Sequence, residues 1–262
     1  MNTYKAWIEY LGTHYNGFQK QNSGVPTIQN TIEDVLKKIS GKQNISTLAS
    51  GRTDAGVHAR EQIIKITLDN PIPEVGLKKA LNDLLPTSIR IRNVEKCPQS
   101  FHPIRDSLWK EYHYRFSFNQ ELDPDLSLFV TNYYGEIDIE KMKKAAKIFE
   151  GEHDFCNYQT VGTEVDSTIR SILHCEIQPI EMFSTGFGQH SNSFQLTVRG
   201  TGFLKQMVRL MMGTLIECGR NKVTAKDIEN SLKSEKLANK LGPVAPPQGL
   251  ILYQVKYPEN AP

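Results

Sequence analysis

The chain has 262 residues, 39% hydrophobic and 23% charged, which suits about two soluble globular domains of ~100–200 residues each. Its 31 basic and 29 acidic residues leave a formal net charge of +2, so nucleic-acid binding cannot rest on the total and would need basic residues gathered on one face. Cys97, Cys156, Cys175 and Cys218 are far apart with no Cys-x-x-Cys pair, and no apolar run or basic leader marks a membrane or export signal; free thiols, no metal and a cytoplasmic location are expected.

Tyr4, Ala6, Ile8 and Tyr10 alternate with Thr3, Lys5, Trp7 and Glu9, which predicts a strand. A polar loop with aromatics follows, Gly12-Thr13-His14-Tyr15-Asn16-Gly17-Phe18-Gln19-Lys20-Gln21. Pro26-Thr27 opens a helix with Ile28, Ile32, Val35, Leu36 and Ile39 on one face. Strands are expected at 45–49 and 62–68, one on each side of Gly51-Arg52-Thr53-Asp54-Ala55-Gly56-Val57-His58-Ala59. A second helix starts at Pro73-Glu74 with Leu77, Leu81 and Leu84 inward, and Pro86 stops it. Ile89 and Ile91 alternate with Arg90 and Arg92 in the next strand. The order β-α-β-β-α-β is that of a ferredoxin-like unit, whose helix-free sheet face is a frequent platform for single-stranded RNA.

From about residue 105 the pattern is longer and embellished. A strand at 108–118 sets Tyr112, Tyr114, Phe116 and Phe118 on one face, and Asp138 caps a helix with Met142, Ala145, Ala146 and Phe149 inward. Strands at 170–180 and 193–199 precede a helix over 203–218 that ends at Gly219. A polar helix follows from Thr224 or Ala225 to Lys233, and a strand at 250–257 closes the chain after the loop holding Gly242-Pro243 and Pro246-Pro247. The expected class is α+β, two ferredoxin-like (RRM-like) halves with largely antiparallel sheets. The expected boundary falls between residues 1–104, which carry the 51–59 loop, and 105–262, with a cleft between them.

The 51–59 loop gathers a guanidinium, a hydroxyl, a carboxylate and an imidazole between two glycines. Two readings of Asp54 stand: a turn residue bonding its own backbone, or a carboxylate nucleophile of the kind that acts at glycosidic carbons. The 203–218 helix is apolar almost all round yet carries Lys205 and Arg209 at i,i+4 spacing. A buried arginine needs a partner; Asp54 and some other structural acid are the alternatives. Tyr112 is either a core tyrosine or a stacking platform for a base, and His58 either an acid–base group or a hydrogen-bonding element. There is no P-loop, nucleophile elbow, dinucleotide fingerprint or metal-ligand spacing.

Five ordered stretches then carry a resemblance: residues 10–21, the Gly-Arg-Thr-Asp-Ala-Gly-Val-His run at 51–58, Phe101-His102 with Tyr112-His113-Tyr114, Phe203-Leu204-Lys205-Gln206-Met207-Val208-Arg209, and Ala245-Pro246-Pro247-Gln248-Gly249-Leu250. Over nearly its full length the chain resembles the bacterial tRNA pseudouridine synthase A family. The resemblance implies one continuous pseudouridine synthase core and conversion of uridine to pseudouridine at positions 38, 39 and 40 of the tRNA anticodon stem-loop. It also implies a homodimer that uses neither cofactor nor metal. It makes Asp54 the nucleophile, Arg209 its ion-pair partner, Tyr112 the residue that stacks on the target base, and Arg52 the one that displaces the nucleotide; Lys205 and Leu250 join the substrate-binding set. Pro103-Ile104-Arg105, Lys20 and Gln206 depart from the family pattern. A non-catalytic RNA-binding protein and a nucleoside hydrolase are the competing readings. Asp54→Asn separates the first from an enzyme, and release of free uracil marks the second.

Overall fold

In the computed structural model, which describes every residue except 22–23, 43–44, 161, 163–164, 185–187, 234–235 and 259–262, the chain forms a mixed α+β fold with mostly antiparallel strand pairing. It divides into two compact units, Met1–Leu108 with Ile251–Pro262, and Trp109–Leu250. In chain order the first contains β1 (Asn2–Tyr10), α1 (Ile28–Ser40), β2 (Thr47–Ala49), β3 (His58–Leu68), α2 (Glu74–Leu84) and β4 (Ile89–Lys96). The second contains β5 (Trp109–Phe118), α3 (Pro124–Ser127), β6 (Thr131–Tyr133), α4 (Ile139–Ala146), β7 (Gly151–Asp154), β8 (Ile169–Ser184), β9 (Gly188–Gly200), α5 (Met207–Gly219) and α6 (Ala225–Ser231). The last strand, β10 (Leu250–Lys256), returns to the first unit.

The alternation in β1 has its expected effect: Tyr4, Ala6, Ile8 and Tyr10 are all at most 1% exposed. β1 runs antiparallel to β3 on one side and to β4 on the other. Since β1 occupies one edge of β3, the other edge is shared end to end. β2 takes residues 64–66 and β10 takes His58 and Ala59, in parallel. The closing strand, expected within the second half, is thus a strand of the first unit. Its Val255 N–H donates to Glu61 at 3.2 Å and Tyr257 Oη to the Pro103 carbonyl at 2.6 Å.

α1 begins where its sequence signals predict. The Thr27 hydroxyl accepts from the Asn30 N–H at 3.2 Å, and Gly41 ends the helix at φ +69°, a conformation glycine adopts without a Cβ penalty. Thr27→Ala is expected to lower stability by ~1 kcal/mol, measurable as a lower midpoint in urea. In α2, Leu77 and Leu81 are buried as expected, but Leu84 is 52% exposed and Leu85 takes its place at 5%. The next inward position after Leu81 is one turn on, and Leu85 reaches it by leaving helical geometry at ψ 145°.

In the second unit the strand order is β5-β9-β8-β7, with β6 parallel to the end of β5. Asp138 caps α4 as expected, and Met142, Ala145, Ala146 and Phe149 are buried. α5 is buried nearly throughout but starts at Met207, four residues later than the sequence predicts. Gln206 sits at φ +61°, a left-handed conformation that breaks helical continuity. Residues 203–206 therefore approach the helix without belonging to it, and Lys205 and Arg209 do not share a helical face. α6 ends at Ser231, short of the expected Lys233.

Candidate active site

The stretch around Asp54 links β2 to β3, and strand geometry resumes at His58. Its side chains divide by depth: Arg52 is exposed, Thr53 buried, and Asp54 half-buried. The backbone on either side of the carboxylate is clamped by the loop after β1. Tyr10 Oη and Thr53 Oγ1 hydrogen-bond at 2.8 Å, and Phe18 N–H donates to the Thr53 carbonyl at 3.0 Å. Gly56 N–H donates to the Tyr15 carbonyl at 3.2 Å, and Val57 N–H to the Asp54 carbonyl at 3.1 Å. At the stem of the loop, Gln62 joins Ser50 Oγ and the Gly51 carbonyl.

The two loops lie close enough that side chains are excluded between them. A Cβ on Gly12 would stand 2.0 Å from the Val57 carbonyl oxygen, far inside contact distance. Gly12 N–H donates to His58 Nδ1 at 3.1 Å, which makes Nε2 the protonated nitrogen of a neutral ring that is 2% exposed. His58 is therefore a hydrogen-bonding element that holds the β1 loop. By sequence, residues 12–21 are only a polar loop with aromatics; the close approach of Gly12 to Val57 and the Tyr10–Thr53 pair are visible only in the fold. Burial raises the Tyr10 hydroxyl pKa well above the usual phenol range, so this clamp stays neutral over the working pH range.

In the second unit, Tyr112 lies on β5 opposite Val198 of β9, with its ring edge-on to Phe203 at 4.9 Å and 78°. It is 7% exposed. The neighbouring Tyr114 Oη donates to the Pro246 carbonyl and bonds Thr131 Oγ1, both at 2.9 Å. Arg209 is 9% exposed; its Nε donates to the Ala245 carbonyl at 2.7 Å, and Ala245 N–H returns a bond to the Arg209 carbonyl at 3.1 Å. The segment before β10 is thus strapped to α5 through Ala245 and to β5 through Pro246, delivering Leu250 buried at the start of β10. Lys205 is exposed, and its carbonyl accepts from Thr160 N–H at 3.3 Å.

Arg52 and Asp54 thus share one hydrogen-bonded loop, while Tyr112 lies on β5, Arg209 on α5 and Leu250 at the start of β10. Lys205 stays at the surface. Of the departures from the family pattern, Lys20 pairs with buried Glu33 at 3.6 Å, Arg105 is exposed, and Gln206 supplies the left-handed turn. On the opposite face of β5, Glu111 joins Arg199 Nε at 2.8 Å and His113 Nε2 at 2.9 Å, a network that sequence periodicity gave no hint of. Among the described residues, no group of three or more His, Cys, Asp or Glu could hold a metal ion, and no helix is long and apolar enough to cross a membrane.

A family model described as tRNA pseudouridine synthase matches residues 6–104 and 145–258. A protein named tRNA pseudouridine synthase A from Geobacter sp. strain M21 is 37% identical over 99% of this chain and 100% of its own length. Proteins of the same name from Listeria welshimeri, 35% identical over 98% of this chain and 100% of theirs, and Oceanobacillus iheyensis, 37% identical over 99% and 98%, agree with it.

Proposed function

The chain belongs to the tRNA pseudouridine synthase family, and from that premise we propose that it isomerises uridine to pseudouridine in the anticodon stem-loop of tRNA, at positions 38, 39 and 40, with Asp54 as nucleophile. The observation that carries this reading is the clamping of Asp54. A carboxylate on a loop hydrogen-bonded on both sides is held for chemistry in a way that a solvated turn residue is not.

A uridine within a stem must leave the stack before its glycosidic bond can meet a carboxylate. In this reading exposed Arg52 fills the vacated stack or grips the adjacent phosphate, Tyr112 holds the base by its face, and Arg209 is the ionic partner of Asp54. The N1–C1′ bond breaks, the base turns while bound, and C5 bonds to C1′; C5 gives up its proton and N1 gains one, so the product is an isomer. Asp54 can serve by attack on C1′, by attack on the base, or by abstracting a sugar proton, and each route needs it ionised. Lys205 and Leu250 complete the substrate-binding set.

The reading also takes both units as ferredoxin-like, supported in the first by the order β4-β1-β3 with β2 beyond β3. It takes the protein as a cytoplasmic homodimer without cofactor, since a symmetric pair extends the limited basic surface that one chain offers a stem-loop. Chemical mapping of pseudouridine in tRNA treated with the purified protein tests the function. New pseudouridine at 38–40 supports it; unmodified tRNA, or free uracil in its place, overturns it. Tyr112→Phe should keep most of the tRNA affinity, while Tyr112→Ala should lose about 1–3 kcal/mol of it. Equal losses in a filter-binding titration would assign the contact to the hydroxyl instead of the ring.

A further inference from the structure

Among the described residues, Lys110 is a lysine buried without a counter-charge. It lies on β5 two residues before Tyr112, 7% exposed, so the two side chains leave the same face of the strand. Among the described residues it has no hydrogen bond, ion pair or electrostatic partner, and desolvation alone pushes its ammonium down to about 8. Glu111, the adjacent acid, is turned to the other face and committed to Arg199 and His113. Across the ladder stands Gly200, where a Cβ would meet Ile172 Cδ1 and the Ser171 carbonyl oxygen at 2.9 Å and Phe203 Cζ at 3.2 Å, so the side chains on that side are apolar. Lys110 Nζ is not among the buried side-chain atoms left without a hydrogen bond in the described residues, so its stem is buried while its head reaches water.

A lysine kept in such a place is a cost to the fold. Buried cations are normally paired, and an unpaired one is retained against its desolvation penalty. We propose that Lys110 is a phosphate-binding residue: its ammonium takes a backbone phosphodiester of the RNA strand whose base lies against Tyr112. The inference rests on tRNA being the substrate. A phosphodiester supplies the missing anion, and a cation on the same face as the aromatic ring, one side-chain repeat away, grips the backbone while the ring holds the base. The contact forms only with RNA bound, so it contributes to binding and nothing to the free fold.

The test compares wild type, Lys110→Met and Lys110→Arg for thermal stability and for tRNA affinity across a salt series. Lys110→Met is expected to melt no lower than wild type, because an apolar side chain of similar length suits the site better. It should bind tRNA at least about tenfold more weakly, with the slope of log affinity against log salt reduced by about 0.7–0.9, the contribution of one phosphate. Lys110→Arg keeps a cation and should keep the wild-type slope. An unchanged slope and affinity in Lys110→Met overturns the proposal, as does a reduced slope in Lys110→Arg. A melting point well below wild type in Lys110→Met overturns it too, since that assigns the lysine to the fold. Wild-type protein that binds no tRNA at all would instead fail the proposed function, so the two failures are distinct.

Discussion

Asp54→Asn is expected to give a folded protein that binds tRNA and forms no pseudouridine. Asparagine has the shape of aspartate, and the bonds made by Tyr10, Phe18, Gly56 and Val57 in this loop run through atoms that the substitution leaves alone. What changes is the charge. A neutral amide can neither attack a carbon nor steady positive charge at C1′, so turnover should fall by at least about 10⁴-fold, as when an enzyme loses its nucleophile. Single-turnover assays on defined tRNA, beside an unchanged melting curve and binding isotherm, make the measurement. Product formed at the normal rate would remove Asp54 from the mechanism and revive the turn reading.

The second large effect is expected at Gly213, inside α5. By helix propensity alone, alanine there would be worth ~1 kcal/mol to the fold. The contact decides otherwise: a Cβ on Gly213 would lie 1.8 Å from the Pro243 carbonyl oxygen, and one on Gly242 would lie 2.4 Å from Gly213 carbon. The obstacle is backbone on both sides, so no side chain can turn away to make room. Overpacking costs about 1–3 kcal/mol, and more where the obstacle is rigid; loosening the paired bonds between Arg209 and Ala245 adds to it. A net loss of about 2 kcal/mol is expected, or about 4–8 °C in Tm for a chain of this size. Activity should fall further than stability explains, because the guanidinium of Arg209 is oriented through Ala245. A Gly213→Ala protein that melts and turns over like wild type would show that this segment can move aside freely.

The sequence was most legible where order is local. Period-two alternation identified β1 and β4, and the Thr27 and Asp138 caps identified where α1 and α4 start, because each signal is complete within a few residues. It was least legible where a distant segment decides. β10 looks like any closing strand, and only its pairing with His58 and Ala59 assigns it to the first unit. The late start of α5 turns on Gln206, which accepts φ +61° without being glycine; propensity favours a helix straight through it. The site divided in the same way. The Asp54 stretch was found from its motif, whereas the glycine facing Val57 and the lone cation at Lys110 become visible only once partners, or their absence, can be seen.

The return of β10 also sets an order of assembly during synthesis. Residues 1–108 emerge first, but the edge of β3 immediately after the Asp54 loop stays open until the whole of Trp109–Leu250 has been made. At ~5–20 residues per second, that interval is on the order of 10–30 s. A nascent chain therefore carries every residue of the Asp54 loop long before β10 arrives to pair beside it. A product truncated within the second unit would hold Asp54 on an unfinished sheet with an unpaired strand edge, a state suited to capture by chaperones or proteases. The pairing of β10 thus ties the seating of the Asp54 loop to synthesis of the second unit, because the strand edge beside that loop is covered only once β10 has been made.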